Sequence, residues 1–278
     1  MNLRQFRRPG SYVAVLLMAA LPGLAVCANA TTSNPANAAT SGSRAEAAAI
    51  LKGMAEYLGG LTSFTCTSTN TFEVVQANGQ KVEFGETRRI SLARPNRLRI
   101  EEVASDGASD LALFDGKQIT VLSADDNVYA QAPQPPSLED ALVYFVRDLR
   151  MRMPLALMLS THVKTELPAV AKEIDYVETS QIRGKTAHHL AGRGESVDFE
   201  IWITDDKNAL PVRIAITYKQ APDKPKFVAD ISDWNTSPTF SATTFQLSLP
   251  QGAKNIPFVV QMLAPSATPQ AAAGQVKP

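Results

Sequence analysis

The chain has 278 residues, with 27 basic and 27 acidic side chains, so its formal charge is zero. That balance excludes a strongly basic nucleic-acid binder, and 45% apolar against 19% charged residues marks a globular chain. Two Cys and three His exclude a disulfide framework and a Cys-rich zinc site.

Residues 1–30 read as a cleaved export signal. Arg4, Arg7 and Arg8 form a basic start, Tyr12 to Val26 an apolar run broken by Pro22 and Gly23, and Ala28-Asn29-Ala30 a small-x-small cleavage site. The run is short for a membrane span, so no transmembrane span is expected in the mature chain. Leu24-Ala25-Val26-Cys27 resembles a lipoprotein box, but such boxes place a small residue where Val26 stands, which favours a soluble periplasmic product over anchoring at Cys27. Without the signal, 24 basic residues face 27 acidic ones, a formal charge of −3. Cys66 is then the lone cysteine, expected as a small buried hydrophobe.

Residues 31–43 read as a flexible linker. Ser43-x-x-Glu46 is a capping-box pattern that opens a helix, with Ala47, Ile50, Leu51, Met54 and Leu58 as its apolar stripe and Gly59-Gly60 as its stop. From Leu61 the period changes to two. Phe64, Cys66, Ser68, Asn70, Phe72 and Val74 share one face, Asn78-Gly79 turns the chain, and Val82, Phe84, Ile90 and Leu92 line the return strand. Further strands start at Leu98, Leu111, Ile119 and Val128, separated by Asp-rich turns. There are no long crossover connections, which argues against a doubly wound nucleotide-binding fold.

Pro133 to Pro136 interrupts the sheet. Ser137-x-x-Asp140 opens a helix with Leu138, Ala141, Leu142, Phe145 and Leu149 on one face, ending near Arg147, Arg150 and Arg152. A short apolar helix follows Pro154. Strands resume at Ile174, with alternating runs at Val197 to Ile203, Leu210 to Tyr218 and Phe227 to Trp234, and a short last element at Thr244 to Leu247. Residues 261–278 are Ala/Pro/Gln-rich and read as a disordered tail. The fold class is mainly β (α+β): one curved antiparallel sheet with the first helix and the helical insertion as its covers.

Several phrases resemble the predicted periplasmic proteins of domain-of-unknown-function family 2092 and, more distantly, the LolA/LolB-like lipoprotein carriers. They are FEVVQANGQKVEF (Phe72 to Phe84), RRISLARPNRLRI (Arg88 to Ile100), FDGKQIT (Phe114 to Thr120), WITDDKNALPVRI (Trp202 to Ile214) and FQLSLPQGAKNI (Phe245 to Ile256). The order of phrases carries the resemblance, over residues 44–260. It implies a LolA-like open half-barrel across those residues, closed by helices over an apolar cavity. The resemblance also implies an Arg that holds the closed state in the LolA family; Arg89, Arg97 and Arg99 lie near the equivalent strands, and none is assigned that role.

The residues themselves offer little catalytic chemistry. His188 and His189 are adjacent on a strand and point to opposite faces, so they do not share a metal, and one is expected outside and one packed. Asp125-Asp126 and Asp205-Asp206 fall in turns, where Asp bonds its own backbone. No nucleophile elbow or phosphate loop is present, and Gly192-Arg193-Gly194 is too short for one. The expected function is therefore a non-enzymatic periplasmic binding protein for an apolar ligand (a lipid, acyl chain or lipoprotein anchor), with no cofactor, metal or nucleic acid. The candidate cavity and lid residues are Phe72, Phe84, Leu98, Ile100, Leu142, Phe145 and Met158. The alternatives are an envelope interaction module with a self-filled core, partnered by an envelope protein, and a hydrolase with dispersed Asp and His residues. A cavity of several hundred Å³, roughly the size of ligand pockets, favours the carrier, and a packed interior the module.

Overall fold

The computed structural model describes residues 35–133 and 137–258; the signal at 1–30, the start of the linker and the tail at 261–278 lie outside them. Helix α1 spans Pro35–Gly60. It thus begins within the expected linker, and Ser43 lies inside the helix rather than at its cap. Pro35 at the first position has a preset φ and needs no N–H partner, and the alanines that follow are good helix formers. Ser43 Oγ instead reaches the Tyr176 carbonyl at 3.5 Å.

Six strands follow as consecutive hairpins: β1 (Ser63–Val75), β2 (Lys81–Ala93), β3 (Arg97–Ala104), β4 (Ser109–Phe114), β5 (Gln118–Ser123) and β6 (Val128–Pro133). Gly79, at φ +83°, makes the β1–β2 turn that Asn78-Gly79 predicts. The insertion holds α2 (Leu138–Val143), a π-helical turn (Tyr144–Asp148), α3 (Ala156–Leu159) and α4 (Val163–Val170). Ser137 caps α2 as expected, accepting from the Asp140 N–H at 3.1 Å. The single helix expected to Leu149 gives way to the π turn, and Arg150 adopts φ +53°, which ends it. The second meander is β7 (Glu173–Ile182), β8 (Lys185–Arg193), β9 (Val197–Thr204), β10 (Pro211–Tyr218) and β11 (Lys226–Asn235). The short element expected at Thr244 to Leu247 is a turn, and the last described strand is β12 (Lys254–Asn255).

The twelve strands of the described residues form one open sheet, in the order β12-β6-β5-β4-β3-β2-β1-β11-β10-β9-β8-β7. Every pairing is antiparallel except β12 on β6. Two meanders thus become one sheet because β11 returns beside β1, with Phe72 opposite both Phe227 and Phe84. The fold is mainly β, an open half-barrel whose inner face is covered by α1 and the insertion. One apolar core joins both halves of the sheet to Met54 and Leu58 of α1 and to Leu138 and Phe145 of the insertion. On the outer face, Phe245 from the segment after β11 packs on Ala93, Leu111, Leu113 and Leu122. Gly192 of β8 has a packing role: a Cβ there would meet the Phe199 ring at 2.2 Å.

Candidate ligand chamber beneath the helical insertion

The insertion is fully buried at both ends and half-buried between them. Leu138, Ala141, Leu142 and Phe145 are buried at one end, and Leu159, Val163 and Leu167 at the other. Arg94 fixes the second anchor, donating to the carbonyls of Leu61 and, at 3.0 Å, Leu159. From Arg150 to Met158 no side chain is fully buried. This stretch, the flap, holds Met153, Leu155 and Met158 over the middle of the sheet. Short 3-residue turns tie it mainly to itself, as in Ala156 N–H to Met153 O at 3.0 Å and Met158 N–H to Leu155 O at 2.9 Å. Met151, Met153, Leu155, Leu157 and Met158 pack half-buried against the core, whereas the anchors on either side are fully buried.

Beneath the flap lies an apolar chamber of about 40 Å³. Phe64, Cys66, Ile90, Ile100 and Ile231 form its floor, and Trp234 stands at its side. The space is far below the several hundred Å³ that marks a ligand pocket. With the flap down, the interior is almost filled. Burial pushes the Cys66 thiol up to about 12, so it is protonated and inert at neutral pH.

A strip of polar groups crosses the inner face beside this chamber. Ser68 Oγ donates to Asn70 Oδ1 at 2.5 Å, and Asn70 Nδ2 donates to Glu86 Oε1 at 3.1 Å. Arg88 holds Glu86 through Nη2 at 2.9 Å and Glu102 through Nε at 3.0 Å. The same Nη2 donates to the Arg152 carbonyl of the flap at 2.9 Å. The Arg152 guanidinium lies 3.6 Å above the Phe72 ring, a cation–π contact. Burial raises the Glu86 carboxyl above its ordinary range, against the pull of Arg88. A second recess of about 160 Å³ opens here, and it shares Arg88, Ile100 and Met153 with the apolar chamber.

Of the expected site residues, Ile100 and Met158 line the chamber. Phe72 and Phe84 stack at 5.8 Å farther along the sheet, outside the chamber; Phe84 is 39% exposed and Phe72 sits under Arg152. Leu98, Leu142 and Phe145 belong to the packed core, where they anchor neighbouring elements and line neither space. Arg97 and Arg99 are on the outer face, over Phe245 and beside Glu101 respectively. Arg89 is exposed and opposite Glu101 on the same outer parity. The inward arginine of β2 is Arg88. Its signal was present, since Glu86 and Arg88 share the parity of Phe84, Ile90 and Leu92.

The histidines do face opposite sides, but both are partly buried rather than one being free. His188 Nδ1 meets the Tyr176 hydroxyl at 3.0 Å and Nε2 lies 3.3 Å from Asp205. His189 stacks on Trp202 at 4.0 Å and meets Glu200 at 3.0 Å. Asp206 serves its turn, accepting from the N–H groups of Asn208 and Ala209. Among the described residues no cluster of three His, Cys, Asp or Glu side chains is placed to hold a metal ion. No described helix is long and apolar enough to cross a membrane.

An open twelve-stranded sheet with a flap over its inner face defines a half-barrel with a covered interior. The chain belongs to the family described as "Predicted periplasmic protein (DUF2092)", whose model matches residues 47–259. Among solved structures it is similar to the lipoprotein LppX of Mycobacterium tuberculosis, at 16% identity and a TM-score of 0.46 over 70% of this chain and 98% of that one. It is also similar to LprF of Mycobacterium bovis, at 13% identity and a TM-score of 0.46 over 75% and 98%. A LolA superfamily protein of Nitrosomonas europaea matches at 10% identity and a TM-score of 0.34 over 72% and 97%. No curated protein matches the sequence.

Proposed function

We propose that the chain is an exported, non-enzymatic binding protein that takes up an apolar chain between the sheet and the flap. The observation that carries this reading is the flap itself: a half-buried Met- and Leu-rich segment, held between two buried anchors, over an apolar floor. Methionine repacks readily around varied apolar partners. Lifting the flap exposes the floor, and each buried methylene of a ligand then contributes about 0.8 kcal/mol. In this reading the flap's own side chains, which pack against the core, give way to the ligand as the flap lifts. The site is on the family's periplasmic side of the cell in this reading, and the apolar ligand is a lipid, an acyl chain or a lipoprotein anchor.

Native mass spectrometry of gently purified protein tests the reading. One lipid-sized mass adduct per chain, displaced by a fluorescent fatty acid, is expected. A bare chain that binds no fatty-acid probe contradicts it. One observation favours a second reading: a chamber of only about 40 Å³ suits a self-filled module that acts through its surface. In that case crosslinking in cells traps an envelope protein while no lipid is found.

A further inference from the structure

One buried carboxyl sits where the sheet meets the start of the flap. The Glu86 side chain is 3% exposed, and Met151, Arg152 and Met153 of the flap wall the recess it faces. Asn70 Nδ2 at 3.1 Å and Arg88 Nη2 at 2.9 Å both donate to its Oε1, which leaves Oε2 as the oxygen that can carry a proton. Arg88 Nη2 also donates to the Arg152 carbonyl at 2.9 Å, so one nitrogen ties this carboxyl to the flap backbone.

The groups around Glu86 come from every element packed on it. Arg88 of β2, Glu102 of β3, Asp110 of β4 and Arg152 of the flap bring charge, Ser68 and Asn70 of β1 are neutral, and Tyr218 of β10 lies within the field of Arg152. The two guanidinium groups balance the carboxylates of Glu102 and Asp110. Glu86 therefore fits beneath the lowered flap as a neutral acid. Ionised there, it adds one uncompensated negative charge among Ile100, Ala112, Val121 and Met151, and such a charge is costly without water.

We propose that Glu86 is a proton-controlled latch: protonated, it lets the flap lie down on the sheet, and ionised, it favours the lifted flap, in which water reaches the carboxylate. The latch rests on the carrier reading above, since it presupposes a flap that lifts. Its sign follows from what opening changes. Exclusion of water is the largest influence on the Glu86 carboxyl and raises it above its ordinary value, whereas the pull of Arg152 is the smallest and lowers it. Lifting the flap readmits water and removes Arg152, so the first change outweighs the second and the carboxyl falls toward 4.5. Opening thus releases a proton, and the open fraction grows with pH by up to about tenfold per unit. The site is sealed in acid and loads as pH rises.

Native-state hydrogen exchange of the full chain tests this, in the wild type and in Glu86→Gln, with rates corrected for the intrinsic pH dependence of amide exchange. Glutamine keeps the oxygen that Asn70 and Arg88 bond and cannot ionise. Glu86→Leu serves if circular dichroism shows that the first variant does not fold. Protection of the amides at 150–158 is expected to fall as pH rises above 4.5, by up to about tenfold per unit over part of the range, and to stay level in the variant. Level protection in the wild type, or a fall that the variant shares, overturns the latch, and the carrier reading then stands if dodecanoate still slows the flap amides. Flap amides as slow as those of the buried Leu142 and Phe145 at every pH overturn the carrier reading and the latch with it.

Discussion

Arg88 donates through Nη2 to the main-chain carbonyl of Arg152 at 2.9 Å, while its Nε holds Glu102 at 3.0 Å. A side chain of the sheet thereby grips the backbone of the flap, and two carboxylates orient it. The grip is local: it acts at the start of the flap, whereas Arg94 holds the far anchor at Leu159. Opening the flap breaks the Arg88 bond and leaves the Arg94 bond intact.

Replacing Arg88 by Met keeps most of the side chain's volume and removes the grip. Glu86 and Glu102 are then left without their cation in a mostly buried setting. Loss of one partner of a buried ion pair costs about 3 kcal/mol. Urea unfolding of Arg88→Met should show a loss of that order, and limited proteolysis should cut faster within residues 150–158. Equal stability and an unchanged cleavage pattern would show that the polar strip does not hold the flap.

Phe145 and Met158 lie in the same insertion and predict different outcomes. Phe145 is fully buried in the anchor, so Phe145→Ala should cost about 3 kcal/mol or more through the cavity it leaves. Met158 is half-buried at the chamber wall, so Met158→Ala should cost about 1 kcal/mol and enlarge the space under the flap. Chemical denaturation reads the first effect. Affinity for a fluorescent acyl probe reads the second and should rise for Met158→Ala.

Glu86 gives stability a pH dependence of defined sign. Its carboxyl ionises near 4.5 when unfolded, and burial raises it in the folded chain. Folding therefore binds a proton between those two values. The stabilisation is fully present below the unfolded value and is lost as pH rises through the folded one. Glu86→Gln stays neutral and lacks that loss. Urea midpoints of the two proteins should diverge as pH rises above the unfolded value of 4.5, with the variant gaining on the wild type. Parallel curves would mean that Glu86 titrates alike in both states.

The inner face of β1 was legible from alternation alone, since Phe64, Cys66, Ser68, Asn70 and Phe72 do share one side. The α2 cap was legible at Ser137 for the same local reason. Alternation fails where a bulge resets the count. Trp234 has the parity of the outward Ser232, but Asp233 adopts φ +54° and the β1–β11 register shifts there, which turns the indole inward beside Phe64 at 5.3 Å. Periodicity also cannot separate a packed core from a chamber wall. Leu98 and Ile100 sit two apart on β3 with one parity, yet only Ile100 meets the chamber. The insertion was legible as a lid, but which stretch of it is half-buried was not, because burial is a tertiary property. The bounds of β8 were not legible, although His188 and His189 were read on a strand, because Lys185 to Arg193 lacks an apolar alternation.

The central claim is that residues 150–158 open as a flap to admit an apolar chain. Native-state hydrogen exchange across the insertion, with and without a saturating acyl ligand, measures this directly. The amides of 150–158 should exchange much faster than those of Leu142 and Phe145 in the free protein, and ligand should slow them while leaving the anchors unchanged. Exchange in 150–158 as slow as in the anchors, and indifferent to ligand, would contradict the account.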